Sequence, residues 1–300
     1  MIIKKIKNII KRIVPATYRK IDESDKKLQK QIKALQAQIK EYQKPILDFI
    51  CYSEIMHEAK RVHETTYPKY RNFLKGKDVA IIGSGPSLDC FNSIDDCVQI
   101  GVNSTIFSEK TKLDYLFFQD YNLNYIHELK KIIEKRKNNN LKVFVGMHYY
   151  KHITPVPLYE IEALNAEQYF FHGRFQDDYY PWSFTLDISE KPFVFCVSTI
   201  FIALQFALYT HPKRIFVVGC DCSSDHYSGN ILNIPISDRI LEYLLKYWVK
   251  FKDFANRFYP DIEIISINPV GLKGLFHDVY TEEYLIEHPE IDQNKVEIYR

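Results

Sequence analysis

Two short stretches of the chain carry residue types and spacings that suit chemistry on a phosphate-bearing ligand. The first is Gly83-Ser84-Gly85-Pro86-Ser87-Leu88, directly after the apolar run Val79-Ala80-Ile81-Ile82. An apolar strand that breaks into Gly-x-Gly can bring backbone N–H groups up to a phosphate. The dinucleotide fingerprint wants a third glycine three residues after the second, and that position is Leu88. Two readings follow: a phosphate cradle at Gly83, Ser84, Gly85 and Ser87, or a purely structural strand-to-turn joint.

The second stretch is Gly219-Cys220-Asp221-Cys222-Ser223-Ser224-Asp225-His226, after the apolar run Ile215–Val218. A histidine near its ordinary pKa suits a general base at neutral pH. His226 is the first candidate, with His277 and His172 as alternatives and an ordinary loop histidine as the competing reading. Cys220-x-Cys222 lacks the spacing of a metal site and reads as two reduced thiols. Asp95-Asp96 and Asp177-Asp178 read as turn or cap acids, so no metal site is expected. Tyr179-Tyr180-Pro181-Trp182 with Phe170-Phe171 reads either as an acceptor-stacking lid or as core.

These residues need a scaffold that lines them up. Short apolar runs at 79–82, 98–102, 115–118, 141–145, 214–218 and 262–267 alternate with helical patterns at about 123–137, 199–209 and 240–258. Ser198 is the expected N-cap of the second of these helices. Strands alternating with helices predict an α/β fold: a Rossmann-like, mainly parallel sheet with helices on both faces. Ligands of such sheets sit beyond the carboxyl ends of the strands. Those ends carry Ser84, Asn103, Gln119, Asp120, Asp221, Ser223 and Asn268. Each alone reads as a turn former; together they predict a convergent polar pocket.

The segment before the sheet differs in character. Residues 1–20 carry seven basic residues and no acid, with Ile2, Ile3, Ile6, Ile9, Ile10, Ile13 and Val14 at helical spacing. This predicts a basic amphipathic helix that lies on an anionic membrane surface, or one that docks on protein. Pro15 is expected to interrupt it. Within 24–50, Leu28, Ile32, Leu35, Ile39, Tyr42, Ile46 and Phe49 alternate by four and three. That is a coiled-coil seam, expected to set a homo-oligomer through residues 28–49, with Pro45 ending or kinking it. Residues 51–77 read as a helical connector, and 78–300 as the globular domain.

Bulk properties exclude several classes. The 300 residues carry 40 basic and 38 acidic side chains, a net charge of +2, so the chain does not read as a nucleic-acid binder. No uncharged apolar run reaches the roughly 18–20 residues that span a bilayer. With no signal-peptide pattern and no Cys-x-x-Cys pair among its six cysteines, a cytoplasmic, reduced protein is expected, peripheral on the inner membrane.

Ile82-Gly83-Ser84-Gly85-Pro86-Ser87-Leu88, then Gly101-Val102-Asn103, then Ser198-Thr199, then Lys213-Arg214-Ile215-Phe216-Val217-Val218-Gly219-Cys220-Asp221 resemble the bacterial sialyltransferases of glycosyltransferase family 42. They resemble equally the related motility-accessory (Maf) glycosyltransferases and MptE-like pterin pyrophosphokinases. The resemblance covers about residues 78–275. It implies a nucleotide-sugar donor, CMP-linked by preference, whose phosphate meets the glycine turn. Asn103 would contact the nucleotide sugar, Ser198 and Thr199 the donor carboxylate and phosphate, and Gly219 and Asp221 the ribose or base. Ser84 stands where the sialyltransferases usually have asparagine, and Cys222 where they have an aromatic residue. The implied activity is inverting sugar transfer, without a metal, to a saccharide or glycolipid acceptor in bacterial surface-glycan assembly. Two alternatives stay open: an ATP- and Mg²⁺-dependent diphosphotransferase with Asp120 and Asp221 as acidic ligands, and a non-catalytic coiled-coil assembly protein.

Overall fold

The computed structural model describes residues 2–119, 127, 128, 130–132, 134, 140–147, 158–173, 184–230 and 237–299. Two compact units are present, Met1–Glu54 and Ile55–Arg300. Helix α1 (Ile2–Thr66) forms the first unit and enters the second. The helix continues through Pro15 and Pro45, so Pro15 does not interrupt it as expected and Pro45 does not end it. A proline deletes one N–H but its fixed φ is helical, and a long helix on either side bridges the single lost bond.

Within the second unit, the chain runs β1 (Asp78–Ile82), β2 (Cys97–Val102), β3 (Tyr115–Phe118), β4 (Lys142–Met147), α2 (Leu158–Ala163), β5 (Glu167–Gly173), β6 (Phe193–Phe195), α3 (Ile200–Thr210), β7 (Arg214–Val218), α4 (Asp238–Phe258), β8 (Glu263–Ile267), β9 (His277–Tyr280), α5 (Glu282–Glu287) and β10 (Glu297–Ile298). Among the described residues, ten strands make one sheet in the order β10-β9-β8-β7-β1-β2-β3-β4-β5-β6. Every pairing is parallel. The sheet therefore grows outward from β1 in one direction through β6, then resumes on the other side of β1 with β7. The α/β, Rossmann-like expectation holds.

Strand residues alternate between two apolar layers, as the period of two requires. Val79, Ile81, Ile100, Val102, Phe117, Phe144, Ile215 and Val217 face a layer that includes all of α3 and the buried stripe of α4. Ala80, Ile82, Leu116, Phe118, Val143, Val145, Phe216 and Val218 face Ala59, Leu88, Phe91, Ile106, Ile161 and Tyr227. Helices thus cover both faces, which explains why the strands read as continuous apolar runs. The 51–77 segment contributes core residues Ala59, His63, Tyr67, Tyr70 and Leu74.

His63 shows how α1 is fastened to the sheet. Its Nδ1–H donates to Ile188 O at 2.7 Å, and its Nε2 accepts the Phe170 N–H at 2.8 Å. Both ring nitrogens are committed, so the ring is neutral. Burial outweighs the two backbone acceptors, Ile188 and Lys191, and lowers its pKa to about 4.

Candidate functional site

The β1/β7 junction is where strand order reverses, so the carboxyl ends of these two strands open a crevice. Both strands end in glycine turns that press together. Gly83 N–H donates to Val218 O at 2.8 Å and Gly85 N–H to Gly219 O at 2.7 Å, carrying the β1/β7 ladder past the strand ends. A Cβ on Gly83 would strike Gly219 O and come within 2.8 Å of Cys220 Sγ; one on Gly85 would strike the Asp221 carboxylate. Gly219 also has φ +61°. These glycines are required by the close approach of two backbones. Their N–H groups are spent on that approach, so the expected backbone cradle for a phosphate at Gly83 and Gly85 does not form.

Asp221 is likewise engaged. Its carboxylate accepts the Ser87 N–H at 2.7 Å and the Ser87 hydroxyl at 2.5 Å, closing the 3-10 turn Pro86–Cys90. Burial raises its pKa, against the two Ser87 hydrogen bonds that lower it. Asp221 and Ser87, expected as ligand contacts, are thus joined to each other. Ser87 is buried behind the crevice.

Asn103 follows β2 with φ +45°. A closed ring of hydrogen bonds fixes it: Asn103 Nδ2 donates to Thr199 Oγ1 at 3.2 Å, Thr199 Oγ1 donates to Gln119 Oε1 at 3.4 Å, and Gln119 N–H donates to Asn103 Oδ1 at 3.2 Å. The ring ties the ends of β2 and β3 to the start of α3. Thr199 and Gln119 are buried in it, leaving the half-buried Asn103 as the member on the crevice wall. Thr199, not Ser198, occupies the N-cap of α3; Ser198 Oγ accepts the Ile200 N–H at 3.4 Å.

The loop after β7 also lines the crevice. Gly271 N–H donates to Asp221 O at 2.9 Å, and Cys222 turns with φ +49°. Burial pushes the Cys222 thiol up to about 12, so it is not a thiolate nucleophile. His226 is half-buried and faces the crevice. The next residue is pinned: Tyr227 N–H donates to Ser84 O at 3.1 Å, and its hydroxyl donates to Ser104 O at 2.7 Å. Ser228 then donates from its N–H and its hydroxyl to Asp89, at 2.8 and 3.0 Å.

The resulting cleft has a cavity volume of about 120 Å³. Of the residues expected at the site, Gly83, Ser84, Gly85, Asn103, Ser198, Gly219, Asp221, Cys222 and His226 line it. Ser87, Thr199 and Gln119 lie behind it, and Asp120 lies outside the described residues, as do Asp177-Asp178 and Tyr179-Tyr180-Pro181-Trp182. Phe170 and Phe171 are buried in β5 as core. Asn268 is buried away from the cleft, and His277 is held between Glu263 and Glu297 at 3.3 and 2.8 Å. His172 lies on β5.

Leu244 and Trp248 of α4 also line the cleft and were not singled out from the sequence. Their spacing of four on an amphipathic helix was the available signal. Among the described lining residues, charge comes from Asp221 and Asp225, with no Lys or Arg. Among the described residues, no three of His, Cys, Asp and Glu gather as they would around a metal ion. No described helix is long and apolar enough to cross a membrane.

No family model matches the sequence, and no curated protein matches it. The chain is similar in structure to the Maf glycosyltransferase from Magnetospirillum magneticum AMB-1, with TM-score 0.43 and 14% identity. The match covers 76% of this chain and 38% of that one, so the chain spans well under half of that protein's length.

Proposed function

We propose that this chain is a glycosyltransferase that takes a nucleotide-sugar donor, CMP-linked by preference, in the β1/β7 cleft and transfers the sugar with inversion. The observation that carries this reading is the arrangement of the cleft itself. Ser84, Asn103 and Ser198 offer hydroxyl and amide groups to the cleft, and His226 lines it from a loop pinned through Tyr227.

The cleft has no Lys or Arg among its described lining residues, so the donor phosphate must be met in another way. Helix α3 starts there, with Ser198 and Ile200 on the wall. Its N-terminal dipole favours an anion, and the Ser84 and Ser198 hydroxyls can donate to the phosphate as it leaves. His226 takes the acceptor hydroxyl proton while the acceptor oxygen bonds to the anomeric carbon. The bond from that carbon to the phosphate oxygen breaks, and its electron pair leaves with the nucleotide. One displacement inverts the anomeric centre.

The exposed Ile3, Ile6, Ile9 and Ile10 of α1, beside lysines and Arg12, support an arm that lies on an anionic membrane surface. A saccharide or glycolipid acceptor at that surface, in surface-glycan assembly on the cytoplasmic face, fits such an arm. The diphosphotransferase reading counted on Asp221 as a magnesium ligand, and its carboxylate is instead committed to Ser87.

Thermal shift of the full chain with CMP, UDP, GDP and ATP, each with and without Mg²⁺, tests the reading. Stabilisation by CMP without Mg²⁺ is expected. Stabilisation by ATP with Mg²⁺ alone replaces the reading with the diphosphotransferase. No response to any nucleotide replaces it with an assembly protein.

A further inference from the structure

We infer that residues 28–43 of α1 pair with the same segment of a second copy of this chain as a parallel, two-stranded coiled coil. Leu28, Ile32, Leu35, Ile39 and Tyr42 are between 45% and 73% exposed, although α1 runs through them without a break. Five large apolar side chains on one stripe of a helix, spaced alternately by four and three, are the surface that a partner helix covers.

The spacing fixes the heptad register. Ile32 and Ile39 take position a; Leu28, Leu35 and Tyr42 take position d. β-branched side chains at a with leucine at d favour two strands over three or four. The segregation also selects direction. In a parallel pair, a layers meet a layers and d layers meet d layers, so giving each its own residue shape has a packing purpose. In an antiparallel pair, a packs against d and the distinction is lost.

The flanking positions point to self-pairing. Positions e and g are all glutamine: Gln29, Gln36 and Gln43 at e, Gln31 and Gln38 at g. Parallel pairing sets Gln31 beside Gln36 of the second copy, and Gln38 beside Gln43. An amide both donates and accepts, so identical residues satisfy each other without the like-charge repulsion that identical Lys or Glu would bring. A different partner chosen by complementary e/g charge would gain nothing here. Lys26, Lys27, Lys30, Lys33 and Lys40 fall at b, c and f, on the side away from the seam.

Light scattering on the full chain should give twice 35.6 kDa. Ile32→Glu with Leu35→Glu should give the monomer mass, with the thermal transition of the sheet unit unchanged. Exchanging the seam residues (Leu28→Ile, Leu35→Ile, Ile32→Leu, Ile39→Leu) should raise the mass above a dimer, because Leu at a with Ile at d favours higher order. Leu28→Cys should form a disulfide-linked dimer on oxidation, above the wild-type background. A monomeric wild type, a wild-type mass of three or four chains, a dimer that survives the double Glu change, or a Leu28→Cys chain that does not cross-link would each overturn the inference.

Discussion

Asn103 and Asn268 look alike in sequence and end in different employment. Each directly follows a buried parallel strand, and each adopts a left-handed backbone, with φ +45° and +51°. Each uses its amide in both directions. Asn103 donates to Thr199 and accepts from Gln119, at 3.2 Å each. Asn268 donates to Thr281 Oγ1 at 3.0 Å and accepts the Thr281 N–H at 2.8 Å. Asn268 is wholly buried, stapling the end of β8 to the N-cap of α5, whereas Asn103 keeps part of its surface on the cleft. The difference is strand position. β2 adjoins the strand at which the order reverses, where no crossover connection covers the strand ends; β8 lies two places from that strand on the other side and pairs with β9, which α5 follows at once. A polar residue at a strand end can meet a ligand only where the topology leaves it uncovered.

The largest effect should come from His226, which lines the cleft from the loop after β7. His226→Ala should lower sugar transfer by roughly 10²–10⁴-fold while leaving CMP-induced stabilisation in place. Activity retained in full would remove His226 from the chemistry. At the far side of the sheet, His63 should make stability depend on pH without touching donor affinity at neutral pH. Its folded pKa of about 4 lies below the 6.5 of the unfolded chain. The unfolded state therefore takes the proton first, so the contribution is whole above pH 6.5 and is lost as pH falls from 6.5 towards 4, about 3 kcal/mol in all. Denaturant melts at pH 7 and pH 4.5 read this, and His63→Gln should flatten the difference.

Between these extremes, Gly85→Ala should cost about 1–3 kcal/mol, because its Cβ meets the Asp221 carboxylate. It should weaken nucleotide binding as well, since the same turn shapes the cleft. Asn268→Ala should also cost about 1–3 kcal/mol, from the unsatisfied Thr281 N–H it buries, with nucleotide affinity unchanged in the folded fraction. The smallest stability effect is expected of Asn103→Ala, about 1 kcal/mol or less given its long bonds and partial exposure, together with a measurable loss of CMP-induced shift. Equal binding losses at Asn103 and Asn268 would erase the distinction between them.

Sequence patterns predicted the strands that carry short, mainly apolar runs: β1, β2, β3, β4, β7 and β8 all fall within a residue or two of expectation. They did not reveal β5, β6, β9 or β10. In Glu167-Gln168-Tyr169-Phe170-Phe171-His172-Gly173, polar ends and a closing histidine and glycine mask the pattern, and β5 changes partner along its length, meeting β4 through Phe170 and β6 from Phe171. β10 is two residues long. At the site, most expected residues converge because strand ends of a parallel sheet must converge. What stayed hidden was how they share their hydrogen bonds. Ser87 and Asp221 lie 134 positions apart, and no local signal says that one will satisfy the other. Arg214 and Asp78 make a comparable long-range pair at the opposite ends of β7 and β1, with bonds of 2.9 and 2.5 Å that lower the Asp78 pKa.

The interlocked glycine turns also bear on the order of events during folding. Strands β1 to β6 add one after another on the same side, so that half can grow by contacts between successive segments. The cleft cannot. It closes only when β7 returns to the open edge of β1, with Ser87 and Asp221 joined across 134 positions. Loop closure over that distance makes the step late and slow relative to the local pairings. Nascent chains that end before Arg214 would present β1 as a bare edge to other molecules, and acquisition of nucleotide binding during refolding would time the moment that edge is covered.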